Sequence, residues 1–249
     1  MGVVTKGWWN EFFPTFRPLF GIKPPKETNA EVKYFIKKLN LKKGSKFLDC
    51  PCGIGRISFP MAKKGISVHG VDVIQSYLDE IQKKNECLKL PITLELNDMR
   101  KIKIKNKFDA GANLWTSFGF FEKESDNLLC LKKMYEALKP GGKFLLHVIN
   151  RDWIVKYFEP KGWFNIGDLK VLQSRTLDLA TSTNHDTWHY VKDGVEKIHK
   201  SHIRMYAYHE MIVMFKKVGF VDIEGYSNIK EEPITINYRM MFIFGTKPK

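Results

Sequence analysis

The sequence of 249 residues has few cysteines, few arginines and no long apolar run. Its four cysteines do not form a disulfide framework in a chain of this length. No run reaches the roughly 18 apolar residues that a membrane span requires, and the first residues have neither a signal-peptide layout nor a myristoylation pattern. The sequence therefore predicts a cytoplasmic protein that has no membrane partner.

Metal-binding patterns are also scarce. Cys50 and Cys52 are separated by one residue, which is not the usual zinc-knuckle spacing, and no second Cys/His pair accompanies them. Five histidines cluster late in the chain without a carboxylate-rich motif: His185, His189, His199, His202 and His209. We predict no metal site.

The formal net charge of +14 raises the question of nucleic-acid binding. The charge comes from 34 lysines and only 7 arginines, whereas arginine supplies the planar forks that phosphate recognition favours. The lysines are also spread over every segment. Nucleic acid is therefore a possible but less favoured partner.

The first 26 residues combine many aromatic rings with four prolines, and such a density of helix breakers predicts neither a regular strand nor a helix. From Thr28 onward, short apolar strands alternate with amphipathic helices, which is typical of a parallel sheet. Residues 169–207 instead alternate like an antiparallel meander, with an Asp-Gly hairpin turn at 193–194. A helix over 208–219 and two further strands complete the pattern.

The stretch FLDCPCGIGR places Asp49 directly before a turn that contains Gly53 and Gly55. Glycines let the backbone turn sharply from a strand into a helix and let a ligand approach closely. Asp72 ends the next predicted strand, where a carboxylate can accept hydrogen bonds from both hydroxyls of a ribose. This set fits a nucleoside site, including that of a dinucleotide enzyme.

Two of the acids favour an adenosine-containing ligand with a cationic tail over a dinucleotide. Asp49 would repel a pyrophosphate, but it suits a ligand with an ammonium and a sulfonium group. Asp98 ends the third predicted strand, where it could accept a hydrogen bond from an adenine amino group. Asp72 alone could be a helix cap and Asp98 alone a turn former. Three acids at the ends of three successive strands indicate S-adenosylmethionine.

FLDCPCGIGR resembles the first motif of class I S-adenosylmethionine-dependent methyltransferases, and HGVD, NDMR, FDAGANLWTSFGFF and LKPGGKFLLHVINRDW continue the resemblance. The resemblance implies an α/β fold: a doubly wound Rossmann-like seven-stranded sheet, mostly parallel with the last strand antiparallel, and an inserted antiparallel β-meander. Together with the aromatic composition of the first residues, which fits either an arm packed on the body or a lid, it divides the chain into an N-terminal aromatic arm or lid (1–27), a cofactor-binding core (28–160), an inserted sheet over the active site (161–207) and a C-terminal helix and strands (208–249).

The resemblance also assigns cofactor contacts. The turn after the first strand would hold the methionyl part, the next two strand ends would hold the ribose and adenine, and the fourth would lie beneath the sulfonium. The residues concerned are Asp49, Cys50, Pro51, Gly53, Gly55, Arg56, Asp72, Val73, Asp98, Met99, Asn113 and Leu114. The chain departs from the commonest first motif at Pro51 and Cys52.

Methyl transfer needs alignment of donor and acceptor more than a catalytic side chain, because the cofactor supplies the leaving group. No motif identifies a catalytic residue. His147 could be a general base, although we favour a core histidine there. Acceptor contacts are expected from residues after the fourth and fifth strands: Trp115, Ser117, Phe118, Asn150 and Arg151.

The resulting prediction is S-adenosylmethionine-dependent methyl transfer to a small molecule. RNA or protein methylation and a non-catalytic S-adenosylmethionine-binding protein are the alternatives. The sequence NLWT lacks the Asn-Pro-Pro-Tyr pattern that grips a base amine, and RKIKIKNK at 100–107 is the only dense basic run. The oligomeric state is left open.

Overall fold

The structure, a computed structural model, describes residues 7–17, 23–166, 169–192 and 194–249. The parts of the expected arm at 1–6 and 18–22, and Asp193 of the expected hairpin turn, lie outside the described residues. Among the helices of the described ranges, none combines the length and the apolar character that crossing a bilayer would need.

The main sheet has seven strands: β1 (Lys46–Asp49), β2 (Ser67–Asp72), β3 (Ile92–Leu96), β4 (Phe108–Asn113), β5 (Leu138–Ile149), β10 (Val221–Tyr226) and β11 (Met240–Thr246). Their spatial order is β10-β11-β5-β4-β1-β2-β3. The neighbours from β5 to β3 pair in parallel, and β11 is antiparallel to both β5 and β10. The predicted doubly wound, mostly parallel sheet is confirmed.

Helices cover both faces of this sheet: α2 (Pro25–Lys38), α3 (Ser58–Lys63), α4 (Gln75–Leu88), α5 (Glu124–Ala137), α6 (Arg151–Lys156) and α7 (Tyr208–Val218). Apolar residues at helical spacing turn inward, so that Val32 and Phe35 of α2 are buried against Phe47 of β1. On the opposite face, Leu131 and Phe215 pack in the cluster that contains Phe144.

A second, antiparallel sheet has four strands: β6 (Lys161–Ile166), β7 (Leu169–Asp178), β8 (Thr183–Lys192) and β9 (Val195–Arg204). The sequence indicated the last three of these strands, and β6 is an addition. Lys192 pairs with Val195 across a two-residue connection, in agreement with the predicted position of the hairpin.

The prediction that the N-terminal segment lacks regular structure was wrong, because residues Trp9–Thr15 form a helix, α1. Pro14 lies inside this helix and has no N–H to donate to the carbonyl of Asn10, so one hydrogen bond of the last turn is missing. Phe12 and Phe16 are buried against Val171 and Tyr190 of the second sheet. Tertiary packing of this apolar face therefore stabilises a helix that local propensity disfavours.

Candidate cofactor site

A cavity lies at the carboxyl edge of the main sheet, where β1 has neighbours on both sides and the strand order reverses. The space between its walls is about 1040 Å³, a figure that includes the part open to solvent. Its walls come from the ends of β1 to β4, the loop after β4, and α1. The lining residues are Trp9, Phe13, Asp49, Pro51, Cys52, Gly53, Ile54, Arg56, Ile57, Asp72, Val73, Ile74, Tyr77, Asp98, Met99, Leu114, Trp115, Ser117, Phe120 and Phe121.

The glycine turn after β1 forms the floor of the cavity. Gly53 and Gly55 both have positive φ angles, +52° and +78°, which side chains rarely adopt. A Cβ atom at Gly53 would meet nothing within 4 Å, whereas one at Gly55 would lie 3.0 Å from the ring of Phe59. Gly53 therefore leaves its backbone open to a ligand, and Gly55 lets the turn pack closely on α3.

Asp49 ends β1 at the base of this turn and is only 2% exposed. Its Oδ2 accepts a hydrogen bond from the hydroxyl of Ser58 at 2.6 Å. Burial raises the pKa of Asp49 to about 6, and the Ser58 hydrogen bond offsets only part of that effect. A buried carboxylate of this kind favours a cationic group beside it.

Asp72 ends β2 and organises the adjoining backbone. Its Oδ2 accepts from the Gly53 amide at 2.8 Å, and its Oδ1 accepts from the Ile74 amide at 3.0 Å. Burial raises its pKa, and these two amides counteract the rise. Each carboxylate oxygen can accept more than one hydrogen bond, so the side chain can hold the turn and still bind hydroxyl groups.

Asp98 lies two residues beyond β3, and the guanidinium of Arg100 binds it as a fork, with Nη2 2.6 Å from Oδ2. Arg100 also contacts Asp126 at 2.9 Å. Burial alone would raise the pKa of Asp98, but the hydrogen bonds from Arg100 outweigh it and hold that pKa below its usual value. Asp98 is therefore a fixed, ionised group in the lining.

Arg56 follows the glycine turn and connects it to α2. Its Nη1 lies 2.7 Å from Oε2 of Glu31, a side chain that is 4% exposed and that also accepts a hydrogen bond from Lys23. The guanidinium stands 4.4 Å from the ring centroid of Trp115. A buried carboxylate thus positions a cation over an aromatic ring at the edge of the cavity.

The loop after β4 carries an unusual backbone. Trp115 and Thr116 both have positive φ angles, +60° and +59°, and non-glycine residues in this region are uncommon and strained. The Thr116 amide donates to the carbonyl of His147 at 2.9 Å, which ties the loop to β5. This conformation brings Trp115 and Ser117 into the lining.

The N-terminal helix covers the cavity. Trp9 and Phe13 of α1 are part of its lining. The hydroxyl of Tyr77 on α4 donates to the carbonyl of Phe13 at 2.6 Å, and Arg17 forms an ion pair with Glu80 of α4. The arm is thus attached to the helix that follows the Asp72 strand.

The second sheet reaches the cavity only indirectly. None of its described residues belongs to the lining. Instead, Phe12 and Phe16 pack on Trp188, with ring centroids 4.8 and 4.6 Å apart. The inserted sheet therefore supports the arm, and the arm lies between this sheet and the cavity.

The structure brings most of the predicted site residues to the cavity, but three of the expected acceptor contacts lie elsewhere. Phe118 is buried in the core against Tyr206. Asn150 caps α6 and donates to the carbonyl of Thr235, and Arg151 pairs with its neighbour, Asp152. None of these three residues belongs to the lining of the cavity.

Three of the expected cofactor contacts also lack a place in the lining. Cys50 is buried in the core, Gly55 faces α3, and Asn113 is 99% buried at the end of β4. The Oδ1 atom of Asn113 has no hydrogen-bond partner among the described residues.

His147, the weak candidate for a general base, stacks on Phe242 with ring centroids 4.1 Å apart and lies outside the lining. Burial lowers its pKa to about 3, and the nearby cations of Lys23 and Arg56 lower it further. The structure therefore places this imidazole in the core, outside the lining of the cavity.

Several lining residues had no sequence signal for a site role. The sequence does not distinguish four of them from ordinary helix and turn residues: Ile54, Ile57, Ile74 and Tyr77. Trp9 and Phe13 belong to the aromatic arm, for which a lid was one of two interpretations. The high density of aromatic residues in this segment predicted that it packs on the rest of the chain, but it did not predict which surface the rings contact.

The seven-stranded sheet with its antiparallel last strand has the fold of class I S-adenosylmethionine-dependent methyltransferases. The cavity at the point where the strand order reverses, with acids at three strand ends, lies where that fold binds its cofactor. The family model described as "Methyltransferase domain" matches residues 41–199. The chain belongs to this family.

Individual relatives agree with this family. The chain is 31% identical over 150 residues to a ubiquinone biosynthesis O-methyltransferase of Coxiella burnetii, and the match spans 60% of each chain. An S-adenosylmethionine-dependent methyltransferase structure from Clostridium acetobutylicum superposes with a TM-score of 0.80, at 16% identity, and covers 97% of this chain and 99% of that one. The sugar N-methyltransferase KedS8 from Streptoalloteichus gives 0.72 at 13% identity, with coverages of 100% and 97%. The two structures support the fold alone.

Proposed function

We propose that this protein transfers the methyl group of S-adenosylmethionine to a small-molecule acceptor. The cofactor supplies a sulfonium-bound methyl group and its leaving group. The residues of this chain bind the cofactor, hold an acceptor in line with the sulfonium and exclude water.

One observation carries this proposal: a single cavity is lined by Asp49, Asp72 and Asp98, which come from the ends of three neighbouring strands. Asp49 is the partner proposed for the cofactor's ammonium group, Asp72 for the ribose hydroxyls and Asp98 for the adenine edge. Gly53 supports the same arrangement, since its backbone is open to a ligand.

The cofactor part is tested by calorimetry with S-adenosylhomocysteine. Asp72→Ala removes charge-assisted hydrogen bonds and should weaken binding by about 1–3 kcal/mol, which is about 5- to 150-fold. Asp152→Ala is the matched control, because the Asp152 side chain is 44% exposed and lies outside the lining. Unchanged affinity in a folded Asp72 variant, or tighter binding of NAD than of S-adenosylhomocysteine, would contradict the proposal.

A small acceptor is supported by the aromatic cover over part of the site. Trp9 and Phe13 of α1 cover it, and Trp115, Ser117 and Phe120 form the wall beside the end of β4. We propose that the described arm acts as a lid that opens for exchange of ligands. An RNA or a protein surface would need an open trough in place of this cover.

The acceptor class is tested by formation of S-adenosylhomocysteine with two sets of acceptors. The first set contains small phenols, amines and amino sugars, since the relatives named above include an O-methyltransferase and a sugar N-methyltransferase. The second set contains total RNA and a protein extract. Turnover with the second set alone would replace the small-molecule proposal, and cofactor binding without turnover in either set would favour a non-catalytic binding protein.

A further inference from the structure

The outer face of the second sheet presents an apolar row to solvent. The register pairs Trp163 with Leu172, Leu172 with His189, and His189 with Ile198, so these four side chains form one line across all four strands. Three of them are between 52% and 69% exposed. Because side chains alternate along strands, the opposite face carries Trp188 and Tyr190, which pack on α1.

Charged residues flank this line in an ordered way. On one side Lys161 pairs with Ser174, Ser174 with Thr187, and Thr187 with Lys200. On the other side the flanking positions are Asn165, Lys170, Val191 and Glu196. Lys161, Lys170 and Lys200 have no ion-pair partner within the described ranges, and Glu196 approaches only His189, at 3.7 Å.

We infer that this face, the row of Trp163, Leu172, His189 and Ile198 with its two flanking rows, binds a second copy of the chain. A twofold axis that runs across the strands along the apolar row would stack each row member on its own counterpart. The same rotation exchanges the two flanking rows. Glu196 of each copy then faces Lys200 of the other, so that two intermolecular ion pairs form.

The charges select this axis over the alternative. A twofold axis parallel to the strands would exchange β6 with β9 and would place Lys161 opposite Lys200, where like charges repel. The axis across the strands instead sets Lys161 against Asn165 and Lys170 against Ser174. The face is therefore self-complementary in one orientation, which is the property that an isologous dimer requires.

The size of the face suits a weak dimer, because its planar outline is about half the area that one partner buries in a standard interface. Four strands spaced about 4.8 Å apart and three rows about 7 Å apart outline roughly 400 Å², and the protruding side chains add to the accessible surface. A standard interface buries about 800 Å² per partner. We therefore expect a concentration-dependent dimer whose dissociation constant lies in the micromolar range.

The decisive experiment is sedimentation equilibrium over a range of protein concentrations, with charge exchange. Glu196→Lys and Lys200→Glu each oppose like charges at two symmetric points and should raise the dissociation constant about tenfold. The double variant Glu196→Lys/Lys200→Glu restores both pairs and should return it towards the wild-type value. Leu172→Asp should give a monomer, whereas Val213→Asp, an exposed change on α7, should leave the dimer intact.

Each variant is checked for folding by its circular dichroism spectrum and by S-adenosylhomocysteine binding, because a melting temperature would itself change with dimerisation. Three results would overturn the inference: a wild-type monomer at all concentrations, a Leu172→Asp variant that still dimerises, or a double variant as weak as the single ones. Monomeric protein that sediments with phosphatidylglycerol vesicles would assign the face to a lipid surface instead.

Discussion

A substitution at Asp49 would measure how much the buried carboxylate of the cofactor site lowers the free energy of unfolding. Burial raises its pKa from 3.8 to about 6, so the folded chain binds a proton more tightly than the unfolded chain does. The free energy of unfolding therefore decreases as the pH rises from about 4 to about 6, and the loss is complete above that range. About two pKa units at 1.36 kcal/mol each correspond to a penalty of about 3 kcal/mol at neutral pH.

Asp49→Asn removes this penalty, because an amide of nearly the same shape cannot ionise and still accepts the hydrogen bond from Ser58. The ligand-free variant should be more stable than the wild type at pH 8 by up to about 3 kcal/mol, and its melting temperature should rise by roughly 2–4 °C for each kcal/mol. At pH 4 the difference should nearly vanish. Affinity for S-adenosylhomocysteine should fall, since the cofactor's ammonium group loses its anionic partner.

The assay is thermal unfolding at pH 4, 6 and 8, with and without S-adenosylhomocysteine, and Asp152→Asn serves as the exposed control. The reasoning fails if Asp49→Asn is less stable than the wild type at pH 8, or if the difference between them does not change with pH. A gain in stability without any loss of affinity would leave the burial argument intact and remove Asp49 from the cofactor site.

Three further outcomes follow from the structure. Tyr77→Phe removes the hydrogen bond to the Phe13 carbonyl, about 1 kcal/mol, and should release S-adenosylhomocysteine several-fold faster in stopped-flow measurements, unless the arm does not cover the ligand. Gly119→Ala should lower the free energy of unfolding by roughly 2–4 kcal/mol in urea titrations. The new Cβ would lie 2.2 Å from the Arg204 carbonyl oxygen, and the backbone φ of +95° is one that alanine rarely adopts. An unchanged free energy of unfolding would refute that contact. His147→Gln should not change the pH profile of methyl transfer between pH 5 and 9, since a group with a pKa of about 3 stays neutral there. A shift of that profile in the variant would indicate that His147 acts as a general base.

The candidate site was predictable where it depends on local pattern plus one topological rule. Short apolar strands ending in Asp49 and Asp72 are visible in the sequence, and parallel connections bring such ends to one edge. The Gly53 turn is likewise a local signal, since glycine adopts positive φ without strain. These features needed no knowledge of distant contacts.

Residues at the rim could not be assigned in the same way. The expected strands are indeed followed by Phe118, Asn150 and Arg151. Whether a loop side chain faces the cavity, however, depends on whether core packing, helix capping or ion pairing holds it elsewhere. Asn150 could have been identified as a cap, because an Asn before a helical pattern is a common N-cap. The left-handed backbone of Trp115 has no such sign.

The sequence by itself determined the order of strands and helices, the glycine turn and the row of acids, because each follows from short-range periodicity and from residue types whose backbone preferences are strong. Only the tertiary structure decided that the aromatic arm becomes a helix, that it lies between the second sheet and the cavity, and that Tyr77 holds it there. Those arrangements depend on burying the faces of Phe12 and Phe16 against strands more than 150 residues away, and no local pattern contains that information.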